Sequence, residues 1–379
     1  MKVLHVIPSL SAAHGGPTRA LALMERALAA QGVEVETATT DDDGPGRRNG
    51  KRTGVPLLED GATRWYFPKR LDFYKPAPAF GRWISAEARR YDLVHVHALF
   101  SYTSTVAARA AQRAGVPYVL RPLGTLNTYG ISQRRPALKQ LSLRWLEGPI
   151  IRAAAAVHFT SRDEAVQARQ LGVPMREAMI PLGVPVPGEP GALVRRQHGQ
   201  LLFLSRLDPK KNLEQLLEAL ALLRGEIPHL HLVVAGAGEA SYTTALRQRA
   251  QSLGLAQQVS WLGHVEGRAK ADALAAAETF VLPSLSENFG IAAAEALAAG
   301  LPCVLGAGVA IAQDVAEAGA GVAVEPTAAG IAAGVRRIMA SQDTLRQMSD
   351  RARQVAQQNY SVDAMGVALK QLYLDILKR

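Results

Sequence analysis

Cysteine is almost absent from this chain: Cys303 is the single one in 379 residues. One thiol can build neither a disulfide framework nor a cysteine zinc cluster. It follows Pro302 inside an apolar run, the setting of a buried, inert thiol rather than of a nucleophile. An unbroken apolar run of membrane-spanning length is missing too. The longest apolar stretch, 296–312, is interrupted by Gly300, Pro302, Gly306 and Gly308, and reads as helix end, turn and strand. The start, Met1 to Ala13, superficially resembles a signal peptide. Its apolar core is short, carries His5 and is broken by Pro8, so a first strand and a cytoplasmic location are expected. There is no aromatic-basic platform and no helix-turn-helix pattern, which argues against nucleic acid as a partner.

What is present sets the class. A hydrophobic content of 48% with 20% charged residues describes a globular chain. Its length exceeds one ordinary core and suits two domains. The net charge of +10 favours anionic partners: an acidic membrane surface, phosphorylated small molecules or nucleic acid.

Taken in order, Val3 to Ile7 reads as a strand buried on both faces, followed by His14-Gly15-Gly16-Pro17 and a helix with apolar spacing at Leu21, Met24 and Leu28. Glycines between a strand and a helix let backbone approach an anion. This is no GxGxxG, and a turn whose glycines only fix backbone angles fits these residues equally well. Val33 to Thr39 gives a second strand, and Asp41-Asp42-Asp43 then opens a Gly- and Arg-rich loop that reads as a solvated surface run. Tyr91 to His97 is another strand, with His95 and His97 on one face at its carboxyl end. No cysteine or carboxylate stands at ligand spacing from them, so no metal is expected, and His97 is a candidate polar contact to substrate. Val116 to Leu120 precedes the turn Arg121-Pro122-Leu123-Gly124, and Ala153 to Phe159 leads into Thr160-Ser161 and Glu164 as strand, cap and helix. No element is assigned between Arg52 and Tyr91.

Composition shifts at residues 181–199, where prolines and glycines interleave. The expected domains are therefore 1–185, a linker 186–199, and 200–360, with 361–379 as a final helix. The second half restarts the alternation. Leu201 to Ser205 is a strand, Arg206-Leu207-Asp208-Pro209-Lys210-Lys211-Asn212 a basic turn, and Leu213 to Leu223 a helix. Thr279 to Leu282 is a strand, Pro283 to Gly290 a polar loop, and Ile291 to Ala299 a helix stopped by Gly300. Regular βα alternation in both halves implies two parallel, doubly wound α/β domains.

Arg206 and Lys211 can neutralise a diphosphate, Arg by its bidentate fork and Lys as a point charge. Asn288, Phe289, Gly290 and Ile291 can add backbone N–H donors at a helix start. Glu295 has the oxygens to hold ribose hydroxyls. These motifs, Ser205-Arg206-Leu207 with Lys211-Asn212, Glu287 with Glu295 eight residues on, and Ala299-Gly300-Leu301-Pro302, resemble glycosyltransferase family 4. Gly15-Gly16 and Asp92 to His97 agree. The resemblance implies the GT-B architecture, two Rossmann-like domains facing across a cleft, with the last helix crossing back onto the first. It implies a nucleotide-sugar donor, metal-independent transfer and retained anomeric configuration. Carried over, Arg206 and Lys211 bind the donor diphosphate together with backbone at Gly16, Glu295 holds the ribose and Glu287 lies against the donor sugar. Many members carry a His in the turn that here reads Arg121-Pro122-Leu123-Gly124. Arg121, with His97 in the same neighbourhood, is therefore the acceptor-side candidate.

Residues 131–152 place Arg134, Arg135, Lys139, Arg144 and Arg152 among Leu138, Leu141, Trp145 and Leu146. Such a segment could touch an anionic membrane or a lipid-linked acceptor; a helix packed on its own domain with a solvated basic face fits as well. The competing functions are another GT-B chemistry, such as a nucleotide-sugar epimerase or sucrose-type synthase, and a non-catalytic nucleotide-sugar-binding protein.

Overall fold

The computed structural model describes residues 1–11, 16–126, 141–186, 194–227 and 229–378. The chain forms two compact units: Met1–Gly183 together with Val362–Arg379, and Val184–Ser361. Each is an α/β structure on a largely or wholly parallel sheet.

The first unit holds β1 (Lys2–Val6), β2 (Glu34–Thr40), β3 (Pro56–Glu59), β4 (Ala62–Phe67), β5 (Leu93–His97), β6 (Tyr118–Arg121), β7 (Ala156–Phe159) and β8 (Glu177–Met179). Their order is β3-β4-β2-β1-β5-β6-β7-β8, and only β3 runs antiparallel to its neighbour. The hairpin of β3 and β4 falls in the stretch to which the sequence assigned nothing. The strand β3 is short and partly exposed, β4 carries Thr63 and Arg64 among its apolar residues, and Asp60 (φ 52°) and Gly61 (φ 81°) make the turn, so apolar periodicity does not mark the pair.

The second unit holds β9 (Gln200–Leu204), β10 (His231–Ala235), β11 (Val259–Gly263), β12 (Thr279–Leu282), β13 (Cys303–Gly306) and β14 (Gly321–Val324), in the order β11-β10-β9-β12-β13-β14. Counted from β9 this is 3-2-1-4-5-6, the order of dinucleotide-binding sheets, and its direction reverses between β9 and β12. Residues 194–199 pack on this unit, with Gln197 N–H donating to the Ala276 carbonyl and Gly199 N–H to Glu278. Cys303 is fully buried, and burial raises its thiol pKa.

The helix Val362–Leu377 belongs to the first unit, burying Met365, Leu369, Tyr373 and Ile376. Gly366 lets its backbone approach the helix Gly16–Ala30: a Cβ there would lie 2.7 Å from the Ala27 carbonyl oxygen. No described helix is long and apolar enough to cross a membrane.

One expectation is overturned. Asp41 and Asp42 are buried, not solvated. Asp42 pairs with Lys69 and Lys75, and Asp41 accepts from the Lys69 N–H at 2.8 Å. The partners lie about 30 residues downstream, beyond β4, so local composition could not reveal them.

The first unit also buries four histidines, His5, His95, His97 and His158. His97 Nε2 is 3.0 Å from His5 Nδ1, and the Tyr373 hydroxyl is 2.7 Å from His95 Nδ1. Burial, joined by the neighbouring Arg121 charge, pushes His5 and His158 down to about 3 and His95 and His97 well below their usual value. Their folded pKa values lie below the ordinary 6.5, so below that pH the unfolded chain binds more protons and stability is lost as pH falls. The thermal unfolding midpoint should therefore drop steadily between pH 7 and pH 5, above the range where carboxylates titrate. A midpoint that stays flat across that interval would refute the neutral histidine layer.

Candidate active site

The reversal between β9 and β12 brings two loops of the second unit side by side. After β9 the chain turns through Ser205 to Asn212, and Asn212 adopts a left-handed conformation (φ 59°). Its amide donates to the Pro283 carbonyl at 3.2 Å and the Pro326 carbonyl at 2.7 Å, while Leu285 N–H donates to the Lys210 carbonyl at 2.8 Å. The basic turn is thus sewn to the loop after β12. A glycine makes a further close approach possible: a Cβ on Gly236 would sit 1.8 Å from the Ser205 carbonyl oxygen.

This framework sets the charges. Lys211 Nζ donates to Glu287 Oε1 with both side chains largely buried, and Ser284 Oγ lies 3.5 Å from the same oxygen. Glu287 is further fixed through its backbone, its N–H donating to the Gly308 carbonyl at 2.9 Å and its carbonyl accepting from Ala310 at 3.1 Å. Arg206 is exposed and makes no ion pair or side-chain hydrogen bond among the described residues. A guanidinium that finds no carboxylate while a lysine beside it does is poised for an incoming anion.

The helix Ile291–Ala298 starts at Gly290, whose φ of 95° is reached without strain only by glycine. A Cβ there would also press on Val309 at 2.9 Å. The first bonds of the helix run from Ala293 and Ala294 N–H to the Gly290 carbonyl, so the N–H groups ahead of them lie at the positive end of the helix. Asn288 is exposed, Ile291 half-buried, and Phe289 buried edge-on against Tyr360 at 5.8 Å between ring centroids. Glu295 is buried and accepts from Lys270 Nζ at 2.8 Å. Lys270 was missed by the sequence reading: it lies in the Gly267–Ala276 helix, outside every motif.

In the first unit Gly16 is the exposed first residue of its helix, and Gly15 lies outside the described residues. The acceptor-side candidates are placed differently from their expected exposure. His97 is fully buried, its ring stacked against His5 at 4.9 Å and His95 at 4.3 Å. Arg121 is 3% exposed and donates to the Met24 sulfur at 3.7 Å, and burial pushes its pKa down to about 10. His97 Nδ1 and Arg121 Nε are buried with no hydrogen-bond partner among the described residues. The turn after Arg121 is held by Glu164, which accepts from Gly124 N–H at 2.7 Å and Thr160 N–H at 2.9 Å.

His5, His95 and His97 converge closely enough for a nitrogen of each to lie within 4.8 Å of the others, a grouping of metal-ligand type. The buried guanidinium of Arg121 beside them repels a cation, and two of their nitrogens already face each other. The cluster fits a neutral structural network better than a metal centre.

Residues 15–183 match the family described as "Glycosyl transferase 4-like domain" and residues 193–355 that described as "Glycosyl transferases group 1". The chain is 30% identical over 318 residues to the D-inositol 3-phosphate glycosyltransferase of Streptomyces scabiei, spanning 76% of this chain and 70% of that protein. It is 28% identical over 239 residues to the UDP-Gal:alpha-D-GlcNAc-diphosphoundecaprenol alpha-1,3-galactosyltransferase of Escherichia coli, covering 57% of this chain and 58% of that one. The chain spans little more than half the length of several other curated relatives. Among solved structures, HepE of Anabaena in complex with UDP superposes with a TM-score of 0.78 at 20% identity, covering 99% of this chain and all of that one. With both halves matched and the Streptomyces relative spanned over most of its length, the chain belongs to glycosyltransferase family 4 and is a glycosyltransferase of the GT-B fold.

Proposed function

We propose that the protein is a retaining glycosyltransferase that moves a sugar from a nucleoside diphosphate sugar to a saccharide or lipid-linked acceptor in cell-surface polysaccharide assembly. The observation that carries this reading is the Lys211–Glu287 pair together with the exposed Arg206, which has no ion-pair partner among the described residues, at the strand reversal of the second unit. Glycosyl transfer develops positive charge on the sugar ring and negative charge on the departing diphosphate. Arg206 and Lys211 stabilise the second, and Glu287 the first, as the bond to the leaving oxygen lengthens. The N–H groups at the start of the Ile291–Ala298 helix add donors for sugar and phosphate. Glu295 accepts from the ribose hydroxyls. Glu287 and Glu295 hold different cationic partners, which supports separate roles rather than an acid/base pair.

The UDP complex of HepE supports a nucleoside diphosphate donor, and the diphosphoundecaprenol acceptor in the Escherichia coli relative's name supports a lipid-linked acceptor. A lipid-linked acceptor calls for contact with an anionic membrane through residues 131–152. Within that segment Leu141 and Trp145 are 57% and 62% exposed, and the Arg144 guanidinium lies over the Trp145 ring at 5.4 Å. Arg134, Arg135, Leu138 and Lys139 lie outside the described residues. Such an exposed aromatic with adjacent arginine is suited to a headgroup boundary. An epimerase would convert the donor with no acceptor present, so incubation with donor alone separates that chemistry from transfer.

Arg206→Ala and Glu295→Ala should each lower transfer about a hundredfold or more, the effect of losing about 3 kcal/mol of transition-state contact, while the circular dichroism spectrum stays that of the wild-type fold. Wild-type turnover in either variant would overturn the site assignment. A panel of nucleotide sugars should raise the melting temperature for one donor above the rest, by the linkage of binding to stability. Neutralising Arg134, Arg135 and Lys139, or replacing Trp145 with Ala, should reduce co-sedimentation with vesicles containing phosphatidylglycerol. Unchanged co-sedimentation in both variants would remove the membrane contact.

A further inference from the structure

Lys270 reaches the donor half of the site from an unexpected direction. It extends from the Gly267–Ala276 helix, which follows β11 at the sheet edge, and its Nζ donates to Glu295 Oε1 at 2.8 Å. The Glu295 side chain is 7% exposed and that of Lys270 19% exposed. A carboxylate buried to this degree is costly unless paired with a charge or several donors. Lys270 supplies the opposite charge. An ammonium also has three donors, and this ion pair uses one of them.

We propose that Lys270 is a positioning residue for the donor's ribose, holding Glu295 aimed so that its carboxylate accepts from both ribose hydroxyls. This rests on the reading of Glu295 as the ribose contact. The physical argument turns on what a buried glutamate does without its cation. Released from Lys270 it turns toward other donors and loses its aim, which blunts recognition of a vicinal diol. A nucleotide lacking the 2′-hydroxyl leaves an acceptor of this carboxylate unsatisfied, and that penalty exists only while the carboxylate is held fixed. Lys270 thereby sets the preference for ribonucleotides over 2′-deoxyribonucleotides, without itself touching the reacting atoms.

The test is calorimetric titration of the full chain with UDP, GDP and ADP, each against its 2′-deoxy form, reading the pair whose ribonucleotide wild type binds most tightly. Wild type should prefer the ribonucleotide about tenfold or more. Lys270→Met, which keeps the length of the side chain without its charge, should bring that ratio close to one, and Lys270→Arg should restore most of it. Glu295→Gln should abolish the preference. A purely structural ion pair would lower the melting temperature of Lys270→Met and leave the ratio untouched; that result, with the preference lost in Glu295→Gln, overturns the proposal alone. A preference retained in Glu295→Gln, or absent in wild type, overturns the reading of Glu295 and the proposal with it.

Discussion

A parallel sheet leaves room for a ligand where its strand order reverses, because there the loops leaving neighbouring strands depart in opposite directions and open a crevice. In the Val184–Ser361 unit the reversal lies between β9 and β12, and the charges of the site follow from it. Arg206 and Lys211 leave the end of β9, and Glu287 leaves the end of β12. Their two loops are fastened by the Asn212 amide and by Leu285 N–H on the Lys210 carbonyl, so the ionic groups sit on a hydrogen-bonded frame rather than on free loops. Such a frame limits the reorganisation needed when charge develops.

Within that frame, partners differ in a way that assigns work. Glu287 is held by Lys211 and Glu295 by Lys270, while Arg206 stands exposed. The two acidic side chains lie about two helical turns apart in sequence, yet one belongs to a loop and the other to a helix interior. Gly290 is what separates them: its left-handed backbone ends the loop and starts the helix at one residue. Phe289, buried against Tyr360, anchors that turn from below.

The first unit is organised by a different constraint, a polar layer inside its core. Four neutral histidines, Tyr373 and Arg121 are buried together, and the layer joins β1, β5, β6 and β7 to the helix Val362–Leu377 through the Tyr373 hydroxyl. Burial drives this layer to its least charged state, which the depressed histidine values express. Arg121 and His97 are both buried in this conformation, and Glu164 holds the turn that follows Arg121.

Periodicity and punctuation carried the sequence a long way. Apolar runs ended by Gly and Pro, as at Val3 to Ile7 or Thr279 to Leu282, are backbone statements made within a few residues, and they specified parallel α/β architecture in both halves. The motif around Glu287 was legible for the same reason, since strand, loop and helix start are contiguous there. What escaped was decided by long-range approach. Asp41 and Asp42 looked solvated because Lys69 and Lys75 come to them only through β4. Lys270 carried no motif, and its meaning arises only when its helix meets the one bearing Glu295. His97 and Arg121 were rightly placed at strand ends, but whether a strand end opens to solvent depends on what packs over it. Local sequence determined the elements and the chemistry each could bear; only the tertiary structure decided which charges meet and which are shut away, because burial and pairing are properties of distance in space.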